Sequence, residues 1–449
     1  MVGPQCGHSA SLEHLIRRLL ASLRERNPLP AGTSPIVVGL AINGLATYGF
    51  LVVARRSLGD EAYGGLAVLW GFVYILGPGN FQPLEQEVAR ATAGRMSRGE
   101  GSAPVFRQAA RVGAMAMAVL TVGILAWWPF GLAGLLDHRI DLLVALLASL
   151  AAFGVAELVR GILSGRHKFR EYGRYFAAEG ISRFVLAFGF GIIGFEVVGV
   201  FGFSLAAAFG IGALVAYRSV KPFVNPGPPA ALHELTPALG LLLVTSIGEA
   251  FLLNVGPVAL SIVGDELGEE APGVFLNGLI ISRVPLFFFQ AVKASLLPSL
   301  ATLAGNEDLR GFRDLQLRLV VGVVAVAGAS MVLGGLIGPW IVEAAFGDVI
   351  GARSMALLAG SGGGLMVMLS LSLGLVALDH TRLAVVGFVV AIVVFPIALQ
   401  FPEDAFLQVE VGLLAAVVAG SLATAGLLRY EYALHTAAGR LGEQYSEAP

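Results

Sequence analysis

Residues 197–217, VVGVFGFSLAAAFGIGALVAY, form an apolar run without one charged side chain. A helix of this length, rising about 1.5 Å per residue, matches the roughly 30 Å hydrocarbon thickness of a bilayer. The run therefore predicts a membrane-spanning helix, and similar runs recur along the whole chain.

The composition excludes the other protein classes. The chain has 449 residues, of which 56% are hydrophobic and 13% charged, and its mean hydropathy is +0.79. Soluble domains carry about 25% charged residues, and disordered chains are poor in apolar side chains. Long continuous runs, rather than alternating segments of about 10 residues, argue against a transmembrane β-barrel. We therefore predict an all-α polytopic membrane protein.

Twelve spans are predicted, with eleven as the alternative because the turns at 195–197 and 400–407 are short. The spans are 36–54, 63–84, 110–135, 141–163, 175–195, 197–217, 237–262, 273–298, 319–342, 355–378, 383–400 and 407–428.

The basic residues give the predicted orientation. Of the 29 Lys and Arg residues, twenty-two fall on the side of the two termini, four on the other side, and three (Arg183, Arg283 and Lys293) inside spans. The positive-inside rule then places both termini in the cytoplasm, and we expect a multi-pass protein of the plasma (inner) membrane. The net charge of −2 gives no general attraction to nucleic acid.

Segments outside the spans complete the predicted domain organisation. Residues 1–33 form a cytoplasmic segment without a cleavable signal peptide, and residues 11–26 within it predict an amphipathic helix on the membrane surface. The single cysteine, Cys6, cannot form an internal disulfide. A six-helix bundle (34–218), a proline-rich linker (219–235), a second six-helix bundle (236–434) and a tail (435–449) follow.

The two predicted bundles resemble each other in sequence. Gly59-Asp60-Glu61 after span 1 matches Gly264-Asp265-Glu266 after span 7, and Tyr63-Gly64 then matches Pro272-Gly273. Further matches between spans 2 and 8 and between spans 3 and 9 keep a nearly constant offset. An even number of spans per half predicts halves of equal orientation, related by an axis along the membrane normal, around a central cavity.

A family resemblance rests on two short motifs. Leu58, Gly59, Tyr63 and Gly64 form an L-G-x-x-x-Y-G pattern, and the stretch 83–90 (PLEQEVAR) ends span 2. With twelve spans in two bundles, residues 34–434 resemble the multidrug/oligosaccharidyl-lipid/polysaccharide (MOP) exporter superfamily, and in particular its polysaccharide-flippase branch. That resemblance implies a transporter that moves an undecaprenyl-pyrophosphate-linked oligosaccharide to the outer leaflet by alternating access.

The sequence leaves alternative functions open. The superfamily also contains cation-coupled multidrug exporters, which favour an acidic residue in span 1, whereas this span has none. The fourteen spans usual for lipid II flippases are also not found. A membrane glycosyltransferase or ligase would need a larger outer loop than residues 262–272 offer. We expect no enzyme activity and no cofactor. The expected partners are the lipid-linked oligosaccharide, membrane lipids and a polysaccharide polymerase or glycosyltransferases.

Charged residues within spans are the candidate substrate and coupling sites, because placing them there is costly. Arg283 is expected at mid-membrane, where Pro285 should kink span 8 and where a guanidinium could bind a pyrophosphate. Glu249 is either a coupling carboxylate or a static counter-ion of Arg283. Lys293 is expected to meet the phosphate first or to extend to the headgroups.

Further candidates line the same predicted pathway. Glu85, Glu87 and Arg90 are interpreted as an inner gate or as a solvated helix end, and Gly77–Asn80 as a hinge. In each of two pairs, Glu157–Arg160 and Glu179–Arg183, the two opposite charges should neutralise each other. Three asparagines, Asn43, Asn254 and Asn277, could bind sugar or join helices. The glycine run 360–364 lacks a nucleotide-site pattern and predicts close helix packing, and no metal-ligand spacing is seen.

Overall fold

The computed structural model describes residues 34–221, 225–230, 239–306 and 308–446, and within these ranges it is helical without strands. The predicted amphipathic helix at 11–26 lies outside the described residues. The main helices are α1 (Ser34–Ser97), α2 (Ala103–Trp127), α3 (Ile140–Gly165), α4 (Phe169–Ile192), α5 (Val198–Val220), α6 (Leu239–Val263), α7 (Ala271–Ser282), α8 (Val284–Gly305), α9 (Leu309–Phe346), α10 (Ala352–Ala377), α11 (Thr381–Ala398) and α12 (Ala405–Ser446).

The helices account for the twelve predicted spans. In the described ranges, ten helices are long and apolar enough to cross a bilayer, and the pair α7–α8, bent by 47°, forms an eleventh span. α1 contains two spans, because Gly59 (φ 74°, ψ −175°) leaves the helical conformation and divides the helix into two arms. The left-handed φ explains why glycine stands at the turn between them.

Several helices extend beyond their predicted spans. α9 begins ten residues before the predicted start at 319, and α12 continues to Ser446 instead of ending near 428. A span predicted from hydropathy ends where the first charged residues begin. The helix itself continues, because its backbone hydrogen bonds do not require apolar side chains. α2 instead ends early, at Trp127, because a 3₁₀ turn over Trp128–Phe130 and then Gly131 interrupt the helix.

The helix break expected at the predicted hinge, Gly77–Asn80, is not found, because α1 stays helical through Pro78. A proline cannot donate to the carbonyl four residues earlier, here that of Tyr74. The amide of Asn254 in α6 donates to this carbonyl at 3.2 Å. A side chain from the second half thus supplies the missing hydrogen bond. By contrast, the kink predicted at Pro285 is confirmed, since the helix axis bends at Arg283.

The helices pack as two six-helix bundles that meet through α1 and α6. We call the end carrying Arg98, Arg166 and Arg310 the basic end and the opposite end the acidic end. One apolar cluster runs through both bundles at the acidic end, from Phe50 and Tyr63 to Ile280 and Phe346. At the basic end each bundle has its own cluster, around Val88 in one and Phe312 in the other. The halves are therefore joined at the acidic end. The predicted domain limits at 218, 236 and 434 stay predictions.

Candidate functional site

A polar network ties the two halves together at the acidic end. Arg55, at the end of the first arm of α1, donates to one oxygen of Asp348 through Nη2 at 2.6 Å and Nε at 3.0 Å. The other oxygen of Asp348 accepts a hydrogen bond from the Asn277 amide at 2.7 Å. Tyr63 donates to the Asn277 carbonyl oxygen at 2.6 Å. The carboxylate of Asp348 is only 2% exposed, so this is a buried charge with every partner in place.

The loops aligned by the internal repeat meet at the same end. A Cβ on Gly64 would overlap the carbonyl oxygen of Glu269, and one on Gly273 would lie 2.6 Å from the ring of Tyr63. Only glycine allows the backbones to come this close. The L-G-x-x-x-Y-G motif thus forms part of the contact between the halves.

Arg283 lies at the bend between α7 and α8, where it is half-buried. Beside it, Tyr48 of the first half donates to the carbonyl of Ile280 at 3.1 Å. In the part of the chain that the structure describes, no carboxylate forms an ion pair with Arg283. The bend therefore holds a guanidinium near mid-span, beside Tyr48 of the first half.

Glu249 and Lys293 lie nearer the basic end than Arg283. Glu249 accepts a hydrogen bond at 3.3 Å from Gln290, which follows Arg283 by seven residues, or roughly 10 Å of helix. Glu249 is therefore not the counter-ion of Arg283. The backbone of Lys293 lies in α8, one further turn towards the basic end, and its side chain is outside the described part.

Buried charges of the first half form a cluster across α1, α3 and α4. Arg160 pairs with Glu157 and with Glu85, each at 2.7 Å, and Tyr172 donates to Glu85 at 2.6 Å. The guanidinium also lies over the Phe176 ring at 4.9 Å. Glu85 is thus fixed inside the bundle and does not join Glu87. The predicted pairing of Glu157 with Arg160 is confirmed, and the link to Glu85 was missed.

The two other predicted ion pairs of this half are also present. Glu87, which is 2% exposed, binds Arg90 at 2.6 Å, so the interpretation as a solvated helix end fails for this carboxylate. Glu179 binds Arg183 at 2.5 Å, and Arg183 also donates to Thr47 at 2.9 Å. The ring of Phe209 lies 5.3 Å from the Arg183 guanidinium.

The three predicted asparagines differ in their surroundings. Asn277 and Asn254 both join helices, which is the alternative to sugar binding. Asn43 is half-buried, and its only described partner is Thr47 at 3.4 Å on the same helix. The glycine run in α10 packs closely, since a Cβ on Gly363 would lie 2.5 Å from the Ala327 side chain. The predicted packing role of that run is confirmed.

The structure also brings together residues that the sequence did not connect. Arg55 was notable only as one of four basic residues on the acidic side, and Asp348 as one of several loop acids. Contrary to the expectation of no metal-ligand cluster, His380, Glu431 and His435 place potential ligand atoms within 4.8 Å of one another. The spacing of Glu431 and His435 by one helical turn was the available signal.

The comparisons with known proteins give relatives by sequence and by structure. No protein-family model matches the chain. Two uncharacterized proteins of Mycobacterium tuberculosis are similar. Rv3630 is 27% identical over 334 residues, covering 71% of this chain and 73% of the relative. Rv1510 is 26% identical over 396 residues, covering 83% and 87%.

Solved structures of MATE (multidrug resistance) transporters superpose along almost the whole chain. The inward-facing conformation of a MATE family transporter of the MOP superfamily gives a TM-score of 0.71 at 14% identity, covering 89% of this chain and 99% of that one. An outward-facing conformation gives 0.64, covering 90% and 95%. A mutant of Vibrio cholerae VcmN gives 0.60 at 17% identity, covering 89% and 95%. The chain therefore has the fold of MATE transporters of the MOP superfamily.

Proposed function

We propose that this protein is a membrane transporter of the MOP superfamily that moves a lipid-linked, pyrophosphate-bearing oligosaccharide across the plasma membrane for cell-surface polysaccharide synthesis. The basic end would face the cytoplasm, as the positive-inside rule predicts. Polysaccharide-assembling enzymes would be its neighbours. The fold, the closed acidic end and the position of Arg283 support the proposal.

The places where the two halves touch support alternating access. The Arg55–Asp348–Asn277 network and the continuous apolar cluster close the acidic end. The separate clusters at the basic end leave the halves without a shared core there. The higher TM-score against an inward-facing MATE conformation agrees with this asymmetry. Transport would require this network to break and a new contact to form at the basic end.

The proposed substrate class rests on one observation, the charge of Arg283 inside a span. A charge inside a span is costly, and buried charges are normally paired. Arg160 and Arg183, the arginines inside predicted spans of the first half, have carboxylate partners, whereas Arg283 has none among the described residues. A guanidinium without a protein counter-ion matches an anionic ligand, and its planar fork suits a pyrophosphate.

A flipping assay in proteoliposomes tests this function. A fluorescently labelled polyprenyl-pyrophosphate oligosaccharide is incorporated, and its movement between leaflets is followed by enzymatic quenching. Arg283→Ala should abolish flipping, and Arg283→Lys should retain part of it. Arg318→Ala, an exposed arginine at the basic end, is the matched control and should flip normally. Unchanged flipping by Arg283→Ala would reject the substrate site.

A cation-coupled multidrug exporter is the second candidate, favoured by the buried cluster of the first half. Together with the Glu179–Arg183 pair, that cluster holds three carboxylates (Glu85, Glu157 and Glu179) and two guanidinium groups, and one oxygen of Glu157 has no described partner. An excess carboxylate can exchange a proton or bind a cation during transport. Efflux of a cationic dye that depends on Glu157 and is insensitive to Arg283→Ala would favour this function.

A further inference from the structure

Two histidines and a glutamate converge at the basic end of the second half. His380 ends the loop between α10 and α11, and Glu431 and His435 lie one turn apart on α12. The backbone fixes His380 in place, because its amide donates to the Leu375 carbonyl at 2.9 Å. Three side chains from two separate segments therefore share one site.

The distances are close to those of a metal site. His380 Nε2 lies 3.1 Å from a Glu431 carboxylate oxygen, and the two imidazole rings are 5.5 Å apart at 84°. All three potential ligand atoms lie within 4.8 Å of one another. Ligand atoms around a tetrahedral zinc ion are roughly 3.4 Å apart, as its bond lengths of about 2.0–2.1 Å require. Small side-chain rotations would bring the three atoms to that spacing.

A hydrogen bond prepares His435 as a ligand. Its Nδ1 lies 2.9 Å from the backbone carbonyl oxygen of Glu431, which can only accept. In the neutral ring Nδ1 therefore carries the proton, and Nε2 keeps a free electron pair for a metal. Metal-binding histidines commonly have such a carbonyl partner on the other ring nitrogen.

We propose that His380, Glu431 and His435 bind one divalent transition-metal ion, with zinc as the best fit to a set of two imidazoles and one carboxylate. Glu431 is buried, which limits the carboxylate to these partners, whereas His380 is 35% exposed. That opening leaves the fourth coordination position to water. The bound ion would fasten the α10–α11 loop to α12 within one half, and so would leave the contact between the halves free to change.

The test uses the full chain purified in detergent with a histidine-free affinity tag and stripped with a chelator. Zinc binding is measured by isothermal titration, and cobalt(II) absorption reports the coordination. We expect one ion per chain and the visible bands of tetrahedral cobalt. His380→Asn and His435→Gln should each weaken binding at least ~10-fold. Both replacements are polar and suited to their backbone positions.

His167→Asn is the matched control, because His167 also lies in a basic-end loop but packs against Phe169. It should bind zinc as the unaltered chain does. No stoichiometric zinc binding, or equal binding by both cluster variants, would overturn the proposal. The site is independent of the transported substrate, so the result stands whichever function holds.

Discussion

Replacing Asp348 with asparagine should open the acidic end. The change keeps the size of the side chain and removes its charge, and with it the ion pair to Arg55 at 2.6 Å. Arg55 is 11% exposed in its side chain and keeps Asp60 as a second partner. Breaking a buried pair costs about 3–5 kcal/mol, and the second partner favours the lower end of that range. A cost of about 3 kcal/mol lowers the closed population relative to the open one roughly 100-fold.

Distances between spin labels measure this shift directly. Cysteines replace Ile193 in the first half and Phe401 in the second, both exposed loop positions at the acidic end, in a chain whose Cys6 is changed to serine. The Asp348→Asn distribution should move to longer distances. Asp141→Asn is the matched control, because its pair with Arg139 lies within one half. Identical distributions for Asp348→Asn and the control would refute the view of this network as a closure between the halves.

Three further outcomes follow from the same structure. Gly64→Ala should open the acidic end in the spin-label measurement, because its methyl would overlap the carbonyl of Glu269; Gly189→Ala, whose methyl meets nothing, should not. Asn254→Leu should lower the Tm of the protein in detergent, since it leaves the partly buried Tyr74 carbonyl without its side-chain donor, at a cost of about 1 kcal/mol. Burial, and next the charge of Glu269, raise the pKa of Asp137 in the loop before α3. Glu269 belongs to the other half, so separating the halves would remove its contribution, and the closed form should bind this proton more tightly. Acidification through that raised pKa should then favour closure, and Asp137→Asn should remove this pH dependence.

The sequence predicts the spans well because a bilayer imposes length and hydropathy on each helix. It also predicts the kink at Pro285 and the ion pairs three or four residues apart, since these depend only on local helix geometry. It fails at Gly77–Asn80, where the helix is kept intact by Asn254 from the other half. Rules based on neighbouring residues cannot identify a hydrogen-bond donor that is 180 residues away in the sequence.

The internal repeat explains which part of the closure could be foreseen. Equivalent positions that lie near a twofold axis contact each other, as in a symmetric dimer interface. Gly64 and Gly273 are such a pair, and a Cβ on Gly273 would lie 3.5 Å from the backbone nitrogen of Gly64. The repeat alignment shows that these loops are equivalent, and the structure shows that they meet. The charged bridge is different, because at the repeat offsets the counterparts of Asp348 and Arg55 are His138 and Leu260, which cannot form an equivalent ion pair. The ion pair therefore has no symmetric counterpart. It adds a polar interaction to a contact whose close packing depends on Gly64 and Gly273. Loss of the bridge should then weaken the closure, and filling the space of Gly64 should prevent it.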